Sequence, residues 1–398
     1  MSRMKFDRME LAGSLGDLGT LLPIAVAMVV INGLDPLGLF LSIGVFYVAA
    51  GLYFGITVPV QPMKVIGAYA IATGMSAEQI LASSFLMGVL LLIIGVTGAI
   101  DLIRKITQKA VIRGVQLATG ALLIASGIKF IIGTSRLQML QQAAEPYLTV
   151  QAIGPVPVGL VLGGIGGLFT LLLLDNRKIP AGLVIVLGGF VLGLTFGAPI
   201  EPGSIGLALA LPEVFPFDFP SSADFSFALF ALVLPQLPMT LGNAVLAYTD
   251  LSREYFGKLS ARLTNRSACV SMALANFFSF SLGGMPLCHG AGGLAAHYRF
   301  GARTAGSNLM IGLIFAALAL LFGHHIVNIL NLLPMSILGV LLVFAGSQLT
   351  LSIIDLDSRK DYFVATLILG VTLASNLAAG FIVGIVIAQL LRWKRLSV

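Results

Sequence analysis

The sequence predicts an all-α polytopic membrane protein with about fourteen transmembrane segments, arranged as two inverted seven-helix repeats. Of its 398 residues, 58% are hydrophobic and only 10% are charged, whereas soluble domains carry about 25% charged residues. Apolar runs of about 18 residues or more recur along the chain, which is the length that a helix needs to cross a bilayer. Prolines and polar residues interrupt these runs at matching places in the two halves.

Hydropathy divides the chain into fourteen apolar spans, with breaks at charged residues or at clusters of Gly and Pro. The segment 135–147 is too polar to span a membrane and is predicted to be a surface helix or loop. The spans cover residues 10–31, 35–55, 57–75, 79–99, 111–132, 155–174, 180–198, 225–249, 263–281, 284–300, 305–330, 333–353, 360–375 and 377–393.

The distribution of charge supports this count. Fourteen spans place twenty of the 23 Lys and Arg residues on one side of the membrane, and the other side holds the acidic segment 198–224. Under the positive-inside rule both termini are cytoplasmic, and we expect the bacterial plasma (inner) membrane. The net charge of +6 therefore reflects topology, because no soluble domain carries the basic cluster that nucleic-acid binding requires.

The two halves carry similar interruptions. Thr20 in span 1 corresponds to Thr240 in span 8, and Pro62 in span 3 corresponds to Pro286 in span 10, at nearly equal distances along the sequence. Because seven spans is an odd number, the second repeat must be inverted, as in secondary transporters that bind substrate near the bilayer midplane. The expected units are a first repeat over 1–198, an extracytoplasmic linker over 199–224 and a second repeat over 225–398.

Lys64 is the most informative residue of span 3. A charged side chain at membrane depth costs at least about 2.5 kcal/mol, so a packing role does not explain it. We expect Pro59 to Pro62 to be extended and a helix to begin near Pro62, because proline is favoured at the first position of a helix. Lys64 then lies in the first turn, where the helix dipole is positive and only a bound anion favours a cation.

Span 10 repeats the pattern. A helix is expected to begin near Pro286 and to run through Leu287, Cys288 and His289, while Gly290 allows close approach of a ligand or helix. Spans 3 and 10 enter from opposite sides, so their interrupted helices are predicted to aim their N-terminal ends at each other. Two helix dipoles and one lysine suit a small dianion.

Other buried polar residues leave alternatives open. His289 is expected to donate to the anion or to titrate, or else to be a neutral histidine bonded to a backbone carbonyl. Asp17 pairs with Lys64, carries a coupling proton or caps a helix break. Neutral donors for an oxyanion come from Gln236, Thr240 and Asn243. The Cys288–His289 pair lacks further soft ligands, so we expect no metal and no cofactor.

At four stretches the sequence resembles the MOT1-type molybdate transporters, relatives of the sulfate permease superfamily. They are GDLGTLLP (16–23), VPVQPMK (58–64), LPQLPMTLGNAVLA (234–247) and MPLCHGAGGLAAHYRFGART (285–304). The resemblance implies fourteen segments, a core domain that moves against a gate domain, and an anion site between spans 3 and 10. The residues it picks out are Gln61, Pro62, Met63, Lys64, Pro286, Leu287, Cys288, His289 and Gly290.

The resemblance also implies a function. We expect a secondary active transporter of tetrahedral oxyanions, molybdate first and sulfate or tungstate next, working by an elevator-type movement with proton symport. The alternatives are an anion channel or exchanger and a sulfate-preferring permease. An enzyme is not expected, because no nucleotide loop, metal cluster or nucleophile–base pair occurs. The expected partners are the oxyanion, protons and the lipid bilayer. The sequence leaves a homodimer open. The chain stops at Val398, just after span 14, so no C-terminal regulatory (STAS) domain is expected.

Overall fold

The computed structural model describes residues 4–100, 108–174, 176, 180–197 and 206–393. The predicted boundary at 198/199 lies outside these residues, as do the basic residues Arg3, Arg104, Lys105, Arg177, Lys178, Lys394 and Arg395. Within the described part, the chain is mostly helical, with two short pairs of strands. Within the described part, seven continuous helical stretches, some of them made of several of the elements given below, are long and apolar enough to cross a membrane, and four further apolar helices are shorter. The count of fourteen spans therefore stays a prediction.

The first half contains nine described helices and three short strands. They are α1 (Arg8–Ser14), α2 (Leu18–Val30), α3 (Pro36–Phe54), β1 (Gln61–Pro62), α4 (Lys64–Thr73), α5 (Ala77–Thr97), α6 (Lys109–Ile132), α7 (Arg136–Leu140), β2 (Ala152–Ile153), β3 (Val156–Pro157), α8 (Val158–Leu173) and α9 (Ala181–Phe196). A 3-10 turn over Leu15–Asp17 joins α1 to α2. The five-residue α7 lies in the segment that is too polar to span.

The second half contains ten described helices and one strand. They are α10 (Ser222–Ala228), α11 (Leu234–Met239), α12 (Tyr248–Phe256), α13 (Asn265–Ser281), β4 (Leu287–Cys288), α14 (Ala291–Phe300), α15 (Ala305–Phe322), α16 (Ile326–Leu330), α17 (Met335–Thr350), α18 (Arg359–Ala374) and α19 (Leu377–Leu390). Two π-helical segments, Leu229–Val233 and Thr240–Ala247, flank α11. Prolines at 235 and 238 lie between them, and a proline cannot donate to the helical ladder.

Local signals account for the limits of the helices, as α3 illustrates. Pro36 occupies its first turn, and the side chain of Asp35 accepts a hydrogen bond from Gly38 N at 2.5 Å. The helix ends at Gly55, which has φ of 74°, a conformation that glycine adopts without strain. These are the start and stop signals of an ordinary helix.

Long helices pack in reciprocal pairs that bring the two halves together. The principal pairs are α3 with α15, α5 with α13 and α6 with α17. In the α6–α17 pair, a Cβ added at Gly127 would lie 2.5 Å from the carbonyl oxygen of Gly339, and one added at Gly339 would lie 2.5 Å from that of Gly127. Small residues that let backbones touch are typical of membrane helix contacts.

Apolar side chains also cover the outside of the molecule. Leu172 on α8 is 69% exposed and Leu194 on α9 is 67% exposed. Large apolar side chains on an outer surface are stable next to lipid rather than water. Together with the long apolar helices, this surface identifies the chain as an integral membrane protein.

Candidate functional site

Two helix N-termini begin at one small antiparallel sheet. Strand β1 pairs with β4, with Gln61 opposite Cys288 and Pro62 opposite Leu287. Met63 N extends the ladder by donating to the carbonyl of Pro286 at 3.0 Å. Because the strands are antiparallel and each leads into a helix, α4 and α14 leave the sheet in opposite directions. Their positive ends therefore lie close together at the sheet.

The start of α14 differs from the sequence prediction. Leu287 and Cys288 are extended, and the helix begins at Ala291 rather than near Pro286. The reason is Asn276 on α13, whose Oδ1 accepts from Leu287 N at 3.2 Å and whose Nδ2 donates to Leu287 O at 2.8 Å. With both backbone groups of Leu287 held in this way, the prediction of a helix through Leu287, Cys288 and His289 is wrong.

The start of α4 lies where Pro62 predicts it, with Lys64 as the first helical residue. Its first-turn N–H groups, however, are not free. The side-chain oxygen of Gln236 accepts from Val65 N at 2.9 Å and from Ile66 N at 3.3 Å. Gln236 is 1% exposed, and its Nε2 donates to the hydroxyl of Thr240 at 2.8 Å. A glutamine from α11 therefore occupies the position that an anion would take at α4.

Lys64 lies at the positive end of α4 and is only partly buried. No hydrogen bond and no ion pair within 4 Å engages its ammonium group among the residues that the structure describes. It interacts electrostatically with Asp17 and Cys288. A cation in this position is disfavoured by the helix dipole, and a bound anion would relieve that cost.

The first turn of α14 contacts other side chains at Gly293 but has free space at Gly292. No side chain caps Gly290, the residue before the helix. A Cβ at Gly293 would lie 2.6 Å from both Asp17 Oδ2 and Gln61 Nε2, whereas a Cβ at Gly292 would meet nothing within 4 Å. Gly292 is exposed. The backbone at the start of α14 thus faces open space beside a buried carboxylate.

Asp17 is held by Gln61. The amide nitrogen of Gln61 donates to both carboxylate oxygens of Asp17 at 2.8 Å, and both side chains are buried. The other amide atom, Gln61 Oε1, is buried without a hydrogen-bond partner among the described residues. It lies beside Gly290, where a Cβ would come within 2.2 Å of it. A polar atom left unpaired in the interior costs about 1–3 kcal/mol.

The segment that carries Thr240 and Asn243 is π-helical, a conformation often found at functional sites. Asn243 is partly buried, and its Nδ2 lies 3.5 Å from the position that a Cβ of Gly290 would take. Thr240 is buried and accepts from Gln236. Asn243 thus lies beside Gly290 at the start of α14, and Thr240 is joined through Gln236 to the start of α4.

His289 is fully buried behind the sheet. Its Nδ1 lies 3.0 Å from the carbonyl oxygen of Pro59, which can only accept, and its Nε2 lies 3.1 Å from Ser271 Oγ. The ring of Tyr248 stacks on the imidazole at 5.2 Å. Both ring nitrogens are therefore engaged by protein atoms, and neither is free for a ligand in this arrangement. Cys288 Sγ donates to Pro62 O at 3.5 Å.

One histidine that the sequence analysis did not single out is His297 on α14. It is fully buried, its Nδ1 lies 2.9 Å from Thr57 Oγ1, and its Nε2 has no hydrogen-bond partner among the described residues. The sequence does not indicate that His297 is buried, because Arg299 and Arg303 follow it where span 10 was expected to reach the cytoplasm. A local signal is its position four residues after Gly293, since residues i and i+4 share a helix face.

Comparison with known proteins places the chain among transporters. Residues 9–123 and 228–349 match the family model described as "Molybdate transporter of MFS superfamily". The chain is 31% identical to "Molybdate transporter 2" of Arabidopsis thaliana, over 98% of this chain and 88% of the relative. It is 32% identical to "Molybdate transporter 1" of Chlamydomonas reinhardtii, over 95% of this chain and 90% of the relative.

Solved structures with a similar fold share little sequence with the chain. The transmembrane domain of the cyanobacterial bicarbonate transporter BicA matches with a TM-score of 0.64 at 16% identity, over 96% of this chain and 97% of that one. The murine anion transporter Slc26a9 in its inward-facing state matches with a TM-score of 0.68 at 16% identity, over 98% of this chain and 69% of that one. The fold is thus of the kind seen in these two transporters. The family match and the relatives together identify the chain as a transport protein that belongs to the molybdate transporter family.

Proposed function

We propose that this protein is a secondary active transporter of tetrahedral oxyanions, with molybdate as its substrate. The observation that carries the proposal is the meeting of the N-termini of α4 and α14 at one strand pair, beside Lys64. Backbone N–H groups and dipoles at helix starts favour anions, and the ammonium group of Lys64 adds a full positive charge. Relatives named molybdate transporters over nearly the whole chain support the choice of oxyanion.

The proposed anion site lies between the two helix starts. Lys64 supplies the charge, and the segments Gln61–Met63 and Pro286–Gly290 bring the backbone into contact range. Asn243 and Thr240 are placed to donate to the oxyanion. Gln236 competes with the anion, because its Oε1 already accepts from the first turn of α4. When the anion arrives, Gln236 turns its amide N–H groups to it and releases the N–H groups of Val65 and Ile66.

The proposed topology has fourteen segments in two inverted repeats, with both termini cytoplasmic in a bacterial plasma membrane. The antiparallel pairing of β1 with β4 supports inversion, since each strand leads into the corresponding helix of its half. The reciprocal packing of α3 with α15 and of α5 with α13 supports it as well. In the elevator-type movement that we propose, these four helices and the site form the core, and α6, α8, α9, α17, α18 and α19 form the gate.

Proton symport completes the proposal. A dianion imported into a negative interior moves against the membrane potential, at a cost of about 2.3 kcal/mol per charge for 100 mV. Asp17 is the carboxylate nearest the helix starts, where it would repel a second anion. Protonation of Asp17 removes that repulsion and brings positive charge into the cell with the substrate. The contact with Gln61 holds Asp17 beside the first turn of α14.

Equilibrium binding tests the proposal. Purified wild-type protein is titrated with molybdate, and sulfate and tungstate are used as competitors. Lys64→Ala is expected to bind molybdate about 10-fold to 100-fold more weakly, the range for one lost charge-assisted contact. Lys129→Ala, which removes an exposed lysine from the last turn of α6, is the matched control and keeps wild-type affinity.

The possible outcomes separate the alternatives. Saturable uptake and counterflow of molybdate in proteoliposomes support a carrier, whereas unitary currents would establish a channel. Tighter binding of sulfate than of molybdate would establish a sulfate-preferring permease. Equal affinity of wild type and Lys64→Ala would show that the lysine is not part of the site.

A further inference from the structure

One ring nitrogen of His297 has no bonding partner within the part of the chain that the structure describes. The side chain is fully buried, Nδ1 lies 2.9 Å from Thr57 Oγ1, and Nε2 has no hydrogen-bond partner among the described residues. A buried polar atom without a partner is costly and calls for an explanation. Imidazole is the side chain that gains or loses a proton near neutral pH. The vacant Nε2 is therefore a position where a proton can bind.

The partner at Nδ1 suits both protonation states of the ring. A hydroxyl group can donate to an unprotonated nitrogen or accept from a protonated one. Thr57 Oγ1 also accepts a hydrogen bond from Ser307 Oγ at 2.8 Å, so the hydroxyl of Thr57 remains fixed while its own hydrogen can reorient. The imidazole therefore keeps its contact with Thr57 when a proton is added at Nε2.

His297 belongs to one buried cluster with Asp17. Gly293 lies one helical turn before His297, and a Cβ at Gly293 would come within 2.6 Å of Asp17 Oδ2. Side chains on a helix lean toward its N-terminus, so the imidazole leans over the turn that Asp17 flanks. Tyr47 links the two, because its ring is nearly parallel to the imidazole, with centroids 6.3 Å apart, and it interacts electrostatically with Asp17.

Other charged groups around α14 are accounted for. Glu10 on α1 is buried, but its carboxylate accepts from the backbone N–H groups of Arg303 and Thr304. The π-helical segment Thr240–Ala247, which contacts α14, has no titratable residue. The other charged or titratable residues on the elements packed against α14 are Arg8 on α1, Asp17 on the 3-10 turn, and Tyr248, Asp250, Arg253, Glu254 and Tyr255 on α12.

We propose that His297 is a second proton-binding residue of the transport cycle and works together with Asp17. A proton from the aqueous phase forms an N–H bond at Nε2, and the carboxylate of Asp17 balances the resulting imidazolium. When the substrate binds, Asp17 takes a second proton, and the dianion then balances the imidazolium and Lys64. Two protons then accompany one dianion, and the loaded carrier crosses without net charge. This inference rests on the proposed function and specifies its coupling.

The test measures the number of protons carried per molybdate. In proteoliposomes with the membrane potential clamped at zero, the molybdate concentration gradient that balances a fixed pH gradient at zero net flux gives this ratio. Wild type is expected to carry two protons per molybdate and to be insensitive to potential. His297→Asn keeps an amide at the position of Nδ1 for Thr57 but cannot take a proton at Nε2. It is expected to carry one, so its uptake slows when the interior is made negative.

Controls keep this result separate from failure of the proposed function. Molybdate counterflow at equal pH on both sides needs no coupling, so wild type without counterflow would refute the function itself. Counterflow by His297→Asn shows that this variant is folded. If His297→Asn does not fold, His297→Gln is used in its place. His325→Asn, at the 3-10 turn after α15, is the matched histidine control and keeps the wild-type ratio.

A measurement on wild type alone completes the design. Calorimetry in buffers of different ionisation enthalpy counts the protons taken up when molybdate binds at about pH 7, where an imidazole can still gain a proton. The proposal is supported if wild type takes up more than one proton per molybdate bound and if His297→Asn takes up fewer protons than wild type. A ratio in His297→Asn equal to that of wild type, or wild-type uptake of one proton or fewer, overturns it.

Discussion

Gln236 Oε1 accepts a hydrogen bond from Val65 N at 2.9 Å across a separation of 171 residues. A side chain of α11 therefore supplies the cap that α4 lacks in its own sequence, since Met63 provides no side-chain hydrogen bond. The contact joins the span 8 region to the start of α4. It also places a neutral oxygen at the position that we propose for the anion, so we expect the charge at position 236 to control access to the site.

Replacement of that glutamine by glutamate is expected to block the site. In Gln236→Glu, a carboxylate binds the N–H groups of Val65 and Ile66, is favoured by the helix dipole and by Lys64, and repels a second anion. Molybdate affinity is expected to fall at least 10-fold in titration calorimetry, with the melting temperature unchanged or raised. Gln389→Glu, at an exposed position of α19, is the control. Wild-type affinity in Gln236→Glu would contradict the placement of the anion at α4.

Two adjacent glycines of α14 are expected to differ sharply in their tolerance of a methyl group. Gly293→Ala places Cβ 2.6 Å from Asp17 Oδ2 and Gln61 Nε2, and 2.7 Å from Pro59 Cβ. Overpacking of this kind costs about 1–3 kcal/mol. Gly292→Ala meets nothing within 4 Å and gains helix propensity. Thermal unfolding of the two variants in the same detergent checks this, and equal melting temperatures would refute the close contact.

Asn276 is expected to be essential for the shape of the strand pair. Asn276→Ala leaves the buried N–H and C=O groups of Leu287 without their partners, at a cost of about 2 kcal/mol or more. The melting temperature and molybdate affinity should both fall. Asn331→Ala, in the turn after α16, serves as control. If α14 instead lengthened toward Pro286 without loss of binding, hydrogen exchange would show new protection at Leu287, and the role given to β4 would be wrong.

Asp17→Asn is expected to separate binding from coupling. The asparagine imitates the protonated carboxyl group, so molybdate still binds. Uptake is expected to rise less steeply as the external pH falls, because only the proton proposed for His297 remains coupled. Initial rates of uptake at several external pH values, with an inwardly directed pH gradient, measure the effect. Asp218→Asn, in the exposed loop before α10, should keep the wild-type pH profile. A wild-type profile in Asp17→Asn would exclude Asp17 as a proton carrier.

A pH dependence of stability is expected from Glu145, which lies between α7 and β2. Its carboxylate accepts from Met335 N and Ser336 N at 2.8 Å, and burial raises the pKa of this carboxyl above its ordinary value. The folded state therefore binds the proton more tightly than the unfolded state, and this contribution to stability is lost as the pH rises above about 4.5.

The comparison that checks this uses Glu145→Gln. The melting temperature of wild type minus that of Glu145→Gln should decrease between about pH 4.5 and neutral pH. An increase over the same range would show that the backbone N–H groups, rather than burial, dominate the ionisation of Glu145.

Local sequence predicted the start of α4 but not that of α14, although both follow a proline. After Pro62 the helix begins at Lys64, close to the expected position. At Pro286 the backbone of Leu287 is taken by Asn276 on the preceding helix, a contact that depends on how α13 packs. Periodicity and helix-start rules describe neighbours along the chain, so they cannot anticipate a side chain that arrives from another element.

The same limit applies to the candidate site. Charge within the predicted spans was enough to single out Lys64 and Asp17, because an ionised side chain at membrane depth has a cost that packing does not explain. The bond of Gln61 to Asp17 and the cap from Gln236 join residues that are 44 and 171 positions apart, and no spacing rule relates them. The sequence around His297 does not indicate burial, because Arg299 and Arg303 follow it at the predicted cytoplasmic end of span 10.

The hydrogen bonds between β1 and β4 limit the ways in which the proposed anion site could open to one side of the membrane and then to the other. The starts of α4 and α14 are joined by backbone hydrogen bonds between β1 and β4, so they cannot separate without breaking these bonds. In the elevator-type movement that we propose, a bound anion therefore travels together with both helix starts. The sliding surface of that movement is expected where α2 and α4 contact α6, α9 and α17.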